Sequence, residues 1–338
     1  MEQTVRISNE VSREKGIPGS TLKIIAIITM FIDHIGAVVL EGKLSDLGMA
    51  QAMQTQEGLQ EFMAQYGVLY LMDMIMRLIG RMGFPIFCFL LIEGFMHTRS
   101  RLKYGRNLLL FALISEVPFD LAITRGMGDV PKIGGVLYPY YQNVFFTLFI
   151  GLLCMCGYEF VSRHAEEFGK NIGTKVLAWV VRITGIVLPA VVIRAMILNY
   201  IGELPGRICW SVGILVPVLL YAAVFMSRKS VTSYQMLCTD MTILALGMLV
   251  ADLLHTDYSA LGILTITFMY AFRKNHVKSV LAGCIALTVF NSIEITSFFT
   301  LIPVKKYNGE RGLSMKYFFY AFYPVHLLLL YLISRYVV

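Results

Sequence analysis

Charged residues are scarce in this sequence. Only 15% of its 338 residues are Asp, Glu, Lys or Arg, whereas 57% are hydrophobic. A soluble domain carries about 25% charged residues, so this composition excludes a large soluble protein. It predicts instead an all-α polytopic membrane protein, a transmembrane helical bundle of about ten spans.

The sequence also lacks paired cysteines and the motifs of soluble enzymes. No Cys-x-x-Cys occurs among its six cysteines, so we predict neither disulfides nor a metal site. The Walker loop, the Gly-x-Gly-x-x-Gly turn, His-Glu-x-x-His and Gly-x-Ser-x-Gly are all absent. Any recognition of phosphate would therefore depend on scattered basic side chains.

We expect no cleaved signal peptide. Residues 1–20 are polar and basic, and the first apolar run contains Asp33 and His34 without a small-residue cleavage site. The net charge of +7 is explained by basic cytoplasmic loops, so we expect no nucleic-acid partner.

Apolar segments predict ten membrane spans in one domain, residues 1–338. The predicted spans are 22–40, 83–98, 105–123, 143–161, 174–198, 208–226, 236–254, 259–272, 278–302 and 316–337.

Three further segments do not fit a simple span. Residues 41–65 are acidic and helix-prone, which predicts an extramembrane excursion. Residues 66–81 predict an interfacial or re-entrant helix in which Asp73, Arg77 and Arg81 share one face, because they are spaced four residues apart. Residues 124–141 are rich in Gly, Pro and Tyr and predict a loop.

Lys and Arg residues in the short loops favour an N-terminus in the cytoplasm. One basic cluster contradicts this bias, since it falls in an outer loop under the same topology. It consists of Lys305, Lys306 and Arg311. Either a missed half-span or a functional outer surface would explain it.

The first span carries three residues that are unusual in a membrane. Lys23 and His34 lie about 16 Å apart on nearly the same helix face. An imidazole and a carboxylate at this depth are expected to line a cavity or a pathway. Asp33 projects about 100° away from His34, so we expect it to pair with another helix.

Other polar residues leave two interpretations open. Glu93, Glu116 and Asp120 belong either to a structural ion-pair network or to the site. His326 follows Pro324, which removes one backbone hydrogen bond and is better tolerated inside a bundle. The aromatic run 317–323, which ends at Tyr323, favours packing or an interfacial belt over a substrate platform.

Four basic residues near the end of span 83–98 are either topology determinants or phosphate contacts. They are Arg99, Arg101, Lys103 and Arg106.

Several stretches resemble the TraX family, named for a conjugation protein implicated in N-terminal acetylation of pilin. These are LKIIAIITMFIDHIG, residues 77–122, QNVFFTLFIGLL and KYFFYAFYPVHLLLLYLI. TraX proteins are similar to the acyltransferase family 3 of integral membrane enzymes. In those enzymes the first helix carries an Arg near its start and a His eleven residues later. Lys23 and His34 match this spacing, with Lys in place of Arg.

The resemblance implies an acetyltransferase in a bacterial plasma membrane. It would move an acetyl group from cytoplasmic acetyl-CoA to a peptide amine or a saccharide hydroxyl. His34 would act as a base or be acetylated itself, since a neutral imidazole is the usual base for such chemistry. We place Asp33, His326 and Glu93 beside it, and Lys23 with the four basic residues of 99–106 near the CoA phosphates. Further candidates are Arg77, Arg81, Glu116, Asp120 and Tyr323.

Two other classes of function remain open. A proton-coupled transporter would also place Asp, His and Glu inside the membrane. The sequence shows no pair of matched broken helices, which argues against an inverted-repeat transporter. A non-catalytic membrane subunit of a secretion or conjugation assembly is the third hypothesis.

Overall fold

A computed structural model describes residues 16–124, 130–164, 167, 172–200, 202, 205–226, 231–314 and 316–337. These residues are mainly helical and contain no β-strand, which confirms the predicted all-α class. The predictions on residues 1–15 and 125–129 lie outside the described residues.

The helices follow the predicted spans closely in the first half of the chain. They are α1 Gly19–Asp46, α2 Met49–Ala52, α3 Gln56–Gly80, α4 Gly83–His97, α5 Arg101–Ile123 and α6 Val144–His164. The middle of α1, Ile35–Leu40, is π-helical.

The second half contains longer peripheral helices and several short segments. They are α7 Ile172–Tyr200, α8 Gly206–Met226, α9 Val231–Leu253, α10 Ser259–Ala271, α11 His276–Phe290, α12 Ser292–Thr300, α13 Leu301–Lys305 and α14 Lys316–Tyr336. Helix α12 has 3-10 geometry.

Six helical stretches in the described part of the chain are long and apolar enough to cross a membrane. They are Gly19–Asp46, Gln56–His97, Val144–His164, Lys175–Tyr200, Tyr234–Leu253 and Tyr317–Tyr336. Large apolar side chains such as Trp179, Ile183 and Val187 are exposed on α7. Such a surface suits lipid rather than water, so the protein is a multi-pass membrane protein.

The prediction of one span over 278–302 is wrong. Helix α11 ends at Phe290, and extended Asn291 follows, its side chain accepting a hydrogen bond from the Ile293 amide at 3.3 Å. The chain then returns as α12 and α13 to the face where α11 began. Asn291 is therefore the sequence feature that divides this apolar segment into a re-entrant pair.

The loop after α13 lies beside the first residues of the bundle. The Ile17 amide donates to the Lys306 carbonyl at 2.8 Å, and the Gly19 amide donates to the Glu310 carbonyl at 2.7 Å. We call this side of the bundle the N-terminal face and the opposite side, where α1 ends, the far face. Lys305, Lys306 and Arg311 therefore lie on the side of the N-terminus, because the re-entrant pair returns the chain, and this favours the missed half-span over a functional outer surface.

Residues 66–81 belong to a longer helix than predicted. Helix α3 begins at Gln56, where the Thr55 side chain accepts a hydrogen bond from the Gly58 amide at 3.0 Å. Residues 41–65 are thus largely helical, and their position outside the membrane stays a prediction. The non-helical backbone over most of 130–143 confirms the predicted loop within the described residues.

The helix pair α3 and α4 crosses the bundle with an interruption. The chain turns at Arg81 and Met82, and α4 then begins at Gly83 against α1. Together the two helices cover 42 residues, which is far more than one straight span requires. Gly80 and Gly83, on either side of the break, are both buried, so the break lies within the bundle rather than at its surface.

Cysteine labelling tests the shared face. We expect Lys306→Cys and His97→Cys to react with a membrane-impermeant maleimide from the same side of sealed vesicles. Met53→Cys, which follows α2, should react only from the other side. Unsubstituted protein is the control, because it carries six cysteines of its own. Labelling of Lys306→Cys together with Met53→Cys would contradict the re-entrant pair.

Candidate functional site

A cavity of about 510 Å³ lies between α1, the α3–α4 break and the start of α6. Its wall combines charged and polar groups that a lipid-facing surface would not carry. These include Asp33, His34, Arg77, Arg81, Asp257 and Tyr323. The remaining wall is mainly aromatic and includes Phe84, Phe119, Tyr138, Tyr140, Tyr141 and Tyr258.

The carboxylate of Asp33 lies between two arginines of the α3–α4 break. Arg77 Nη1 donates to Asp33 Oδ2 at 2.7 Å, and Arg81 Nη2 donates to Oδ1 at 3.0 Å. Arg77 Nε also lies 3.3 Å from Glu41 Oε1. This confirms that Asp33 pairs with another helix and that Arg77 and Arg81 share a face.

Two glycines permit this close approach of helices. A methyl group at Gly80 would lie 2.2 Å from Oδ1 of Asp33, and one at Gly36 would lie 2.9 Å from Oδ1 of Asp73. No side chain fits at 2.2 Å without displacing the carboxylate. The ion pairs therefore require a residue without a side chain at position 80.

The re-entrant pair contributes a third carboxylate to this network, after Asp33 and Glu41. Glu294 is 1% exposed, and its Oε1 accepts from Arg81 Nη1 at 3.1 Å. Thr296 and Thr300 of α12 donate hydroxyl hydrogen bonds to the Leu78 and Met82 carbonyls, at 2.7 and 3.3 Å. These contacts join α12 to the α3–α4 break and help to satisfy its backbone.

His34 contacts the second predicted histidine. Its Nδ1 lies 2.6 Å from Nε2 of His326, and the two rings are parallel within 4°. His326 Nδ1 lies 2.7 Å from the Phe322 carbonyl oxygen. The structure thus brings together residues 292 positions apart in the sequence.

Tyr323 lies beside both imidazoles. Its ring centroid is 5.9 Å from that of His34 and 5.7 Å from that of His326. It also contacts Phe145 at the start of α6, edge to face. Tyr323 is 3% exposed and lines the cavity, whereas Tyr317 and Phe318 at the start of the aromatic run are 78% and 51% exposed. The run is therefore only partly packed within the bundle, and its last residue contributes to the site.

The turn between α9 and α10 forms a part of the cavity wall that was not predicted from the sequence. Asp257 accepts a hydrogen bond from the Tyr141 hydroxyl at 3.0 Å, while Tyr258 stacks on Phe84. His255, Tyr258 and Ser259 all have positive φ angles, which are rare for residues other than glycine. The sequence does show a carboxylate, Asp257, in this short turn, but no local sequence pattern connects Asp257 to His34.

Glu116 and Asp120 hold the loop 130–143 rather than lining the cavity. The Asn143 side chain donates to Glu116, and the Tyr138 amide donates to Asp120 Oδ2 at 2.8 Å. These contacts position the cavity-lining tyrosines of the loop. Both carboxylates therefore support the site from outside it.

The structure does not bring Glu93 to His34. Glu93 lies at the N-terminal face, where the Tyr307 hydroxyl donates to its Oε2 at 3.2 Å and His276 Nε2 lies 3.7 Å from Oε1. Burial and the nearby Glu93 raise the pKa of Tyr307, so the hydroxyl stays protonated and donates. The pair of Glu93 and Tyr307 joins α4 to the loop after α13.

The basic candidates lie at the N-terminal face in two groups. Lys23 Nζ is 5.4 Å from the Phe319 ring centroid at the start of α14. The ammonium group thus lies over an aromatic ring near the start of α1, whereas His34 lies near the middle of that helix.

The second basic group lies around the turn between α4 and α5. Arg101 pairs with Glu159 and stacks on Phe95, whereas Arg99, Lys103 and Arg106 are exposed. Arg101 is thereby partly neutralised, and the other three cations face solvent.

The fold and the cavity define a multi-pass helical membrane protein with a polar site inside its bundle. The family model described as TraX protein matches residues 18–197 and 188–334. The chain therefore belongs to the TraX family.

One curated relative is the probable fimbrial assembly protein FimC, serogroup H1, of Dichelobacter nodosus. It is 28% identical over 145 residues, which are 43% of this chain and 48% of that protein. The aligned part of the chain thus spans about half the length of this relative. No solved structure matches the chain.

Replacement of Gly80 tests the packing around Asp33. We expect Gly80→Ala to destabilise the protein by about 1–3 kcal/mol, because overpacking displaces the carboxylate. Gly67→Ala in the same helix is the matched control, since its methyl group would meet only Met63, at 3.8 Å. Thermal unfolding in detergent measures both. Equal melting temperatures for the two variants would contradict the packing.

Proposed function

We propose that the protein is an integral membrane acetyltransferase. It moves an acetyl group from cytoplasmic acetyl-CoA to an amine or hydroxyl acceptor, such as a peptide N-terminus or a saccharide. The observation that carries the proposal is the position of His34. Its imidazole lies in the wall of a charged cavity, beside a second imidazole and two arginines.

The chemistry needs a base and a group that stabilises negative charge. His34 takes the proton from the acceptor, whose nitrogen or oxygen bonds to the acetyl carbonyl carbon. The carbon–sulfur bond then breaks, and the proton on His34 passes to the leaving thiolate. Arg77 uses Nη1 and Nε for its two carboxylates, so its Nη2 is the group we assign to the developing oxyanion.

The N-terminal face supplies the cations suited to acetyl-CoA. Lys23 and the exposed Arg99, Lys103 and Arg106 lie there, and ammonium and guanidinium groups bind phosphate oxygens well. Basic loops mark the cytoplasmic side of membrane proteins, so we assign this face to the cytoplasm of a bacterial plasma membrane. Lys23 and His34 are about 16 Å apart along α1, a separation suited to an extended pantetheine chain.

The lining of the cavity suits the acceptor. The lining contains three carboxylates, Asp33, Glu41 and Asp257, against two guanidinium groups, Arg77 and Arg81. An excess of carboxylate favours an acceptor that arrives with a positive charge, and the aromatic rings offer cation–π contacts. Where that charge is on the reacting amine, the ammonium group first releases one proton to water, and the neutral amine then attacks the acetyl carbon and gives its second proton to His34. The similarity to a fimbrial assembly protein supports a subunit of a surface appendage as one such acceptor.

A proton-coupled transporter is the second candidate, and one observation favours it. The break between α3 and α4 and the re-entrant α12 meet at the Arg81–Glu294 ion pair. Interrupted helices that meet inside the bundle are typical of transporter binding sites. Proton-driven flux into liposomes without any acetyl-CoA chemistry would select this candidate.

Substitution of His34 tests the acetyltransferase. Purified wild-type protein should bind acetyl-CoA and release free CoA slowly. His34→Ala should lower this release at least 100-fold, the low end of the range for loss of a general base. His97→Ala is the control, because that side chain is 73% exposed and lies at the N-terminal face. Retained turnover in folded His34→Ala protein would remove His34 from the mechanism.

Substitution of Lys23 tests the route of acetyl-CoA. We expect Lys23→Ala to raise the KM for acetyl-CoA about tenfold, because one charge-assisted phosphate contact is lost. The kcat should change little, since this contact is the same in the ground and transition states. Lys278→Ala is the control, because Lys278 is an exposed lysine of the same face. Equal KM values for the two variants would contradict the assignment of Lys23.

A further inference from the structure

We propose that His326 is a positioning residue that fixes the tautomer of His34 and leaves Nε2 of His34 as the reacting atom. This inference rests on the proposed acetyl transfer for its function, but its geometry is independent of that reaction. It gives the two histidines different roles, because His34 lines the cavity whereas His326, which the structure also describes, does not.

The first step is the proton of His326. Its Nδ1 lies 2.7 Å from the carbonyl oxygen of Phe322, one helical turn earlier. A carbonyl oxygen only accepts hydrogen bonds, so Nδ1 of His326 must carry the proton. In the neutral ring the other nitrogen, Nε2, then holds a lone pair.

The second step is the proton of His34. Its Nδ1 lies 2.6 Å from Nε2 of His326. Because that nitrogen accepts, Nδ1 of His34 must donate and therefore carries the proton. Nε2 of His34 is then unprotonated, which is the state a base or nucleophile requires.

Packing holds this arrangement in place. His326 is 3% exposed and lies against Phe31, Phe322 and Tyr323, with ring centroids 5.9, 4.8 and 5.7 Å away. The ring cannot turn without losing both its bond to Phe322 and its bond to His34. A histidine without such a partner would distribute its proton over both nitrogens.

The proton balance follows from this assignment. The acceptor proton passes to Nε2 of His34 while the acceptor bonds to the acetyl carbon and the carbon–sulfur bond breaks. The same proton then moves to the thiolate of CoA. Nδ1 of His34 keeps its proton throughout, and His326 neither gains nor loses one.

Nitrogen NMR of protein with ¹⁵N-labelled histidine tests the proposal without any substrate. His34→Asn identifies the signals of residue 34. We expect the wild-type protein to show a protonated Nδ1 and an unprotonated Nε2 at this residue. A protonated Nε2 in the wild-type protein would overturn the proposal. This measurement does not depend on how well any variant folds or on whether acetyl-CoA is turned over.

Two substitutions of His326 then test the link to activity. His326→Phe keeps an aromatic ring but has no acceptor, so the tautomers of His34 should mix and kcat should fall at least tenfold. His326→Gln offers an amide oxygen in place of Nε2 and should keep the tautomer and at least a third of kcat. The KM for acetyl-CoA should stay within twofold in both variants.

A purely structural role for His326 would give a different pattern. It would leave the tautomer of His34 unchanged in His326→Phe, and that result would overturn the proposal. If the tautomer of His34 shifts as expected in His326→Phe but the wild-type protein does not turn over acetyl-CoA, the proposed function alone is refuted.

Discussion

The charge on Asp33 is the constraint on which the rest of this structure depends. A carboxylate inside a membrane bundle is stable only when cations and hydrogen-bond donors surround it. Arg77 and Arg81 meet that need, and Glu294 in turn pairs with Arg81. The network therefore joins α1, the α3–α4 break and the re-entrant α12. Removal of one partner would leave a buried charge without compensation.

The same network explains why the polar cavity and the broken helices lie at one depth. Straight α-helices satisfy their own backbone hydrogen bonds, whereas a broken helix needs partners from outside. The hydroxyl groups of Thr296 and Thr300 supply such partners at the ends of α3 and α4. Irregular backbone is tolerated here because protein surrounds it, and this arrangement leaves room for a ligand.

Neighbouring residues on α1 have separate tasks. Asp33 points towards the arginines and holds the elements together, while His34 points towards His326 and the cavity. The step of about 100° between successive helical residues makes this division possible. A structural charge and an imidazole that lines the cavity can therefore be adjacent in the sequence without contacting each other.

The helical period was sufficient to predict part of this site. The pairing of Asp33 with another helix and the shared face of Arg77 and Arg81 both follow from local spacing. The contact of His34 with His326 does not, because it depends on how distant helices pack. Asp257 was missed for the same reason.

One prediction failed because a single polar residue redirected the chain. The segment 278–302 is apolar enough for a span, but the cap at Asn291 divides it. The return of the chain then moved Lys305 and Lys306 to the N-terminal face. Hydropathy is averaged over a window of residues, so a single polar cap such as Asn291 does not change it. It therefore predicts the number of apolar segments more reliably than the direction in which each segment runs through the bundle.

The most direct test of this account supplies acetyl-CoA to one side of a membrane only. Protein of known orientation would be reconstituted into sealed liposomes, and release of CoA would be measured with acetyl-CoA on either side. The account predicts turnover only when acetyl-CoA meets the N-terminal face, where Lys23 lies, and loss of that turnover in His34→Ala. Turnover from the far face, or from neither face in a folded protein, would contradict it.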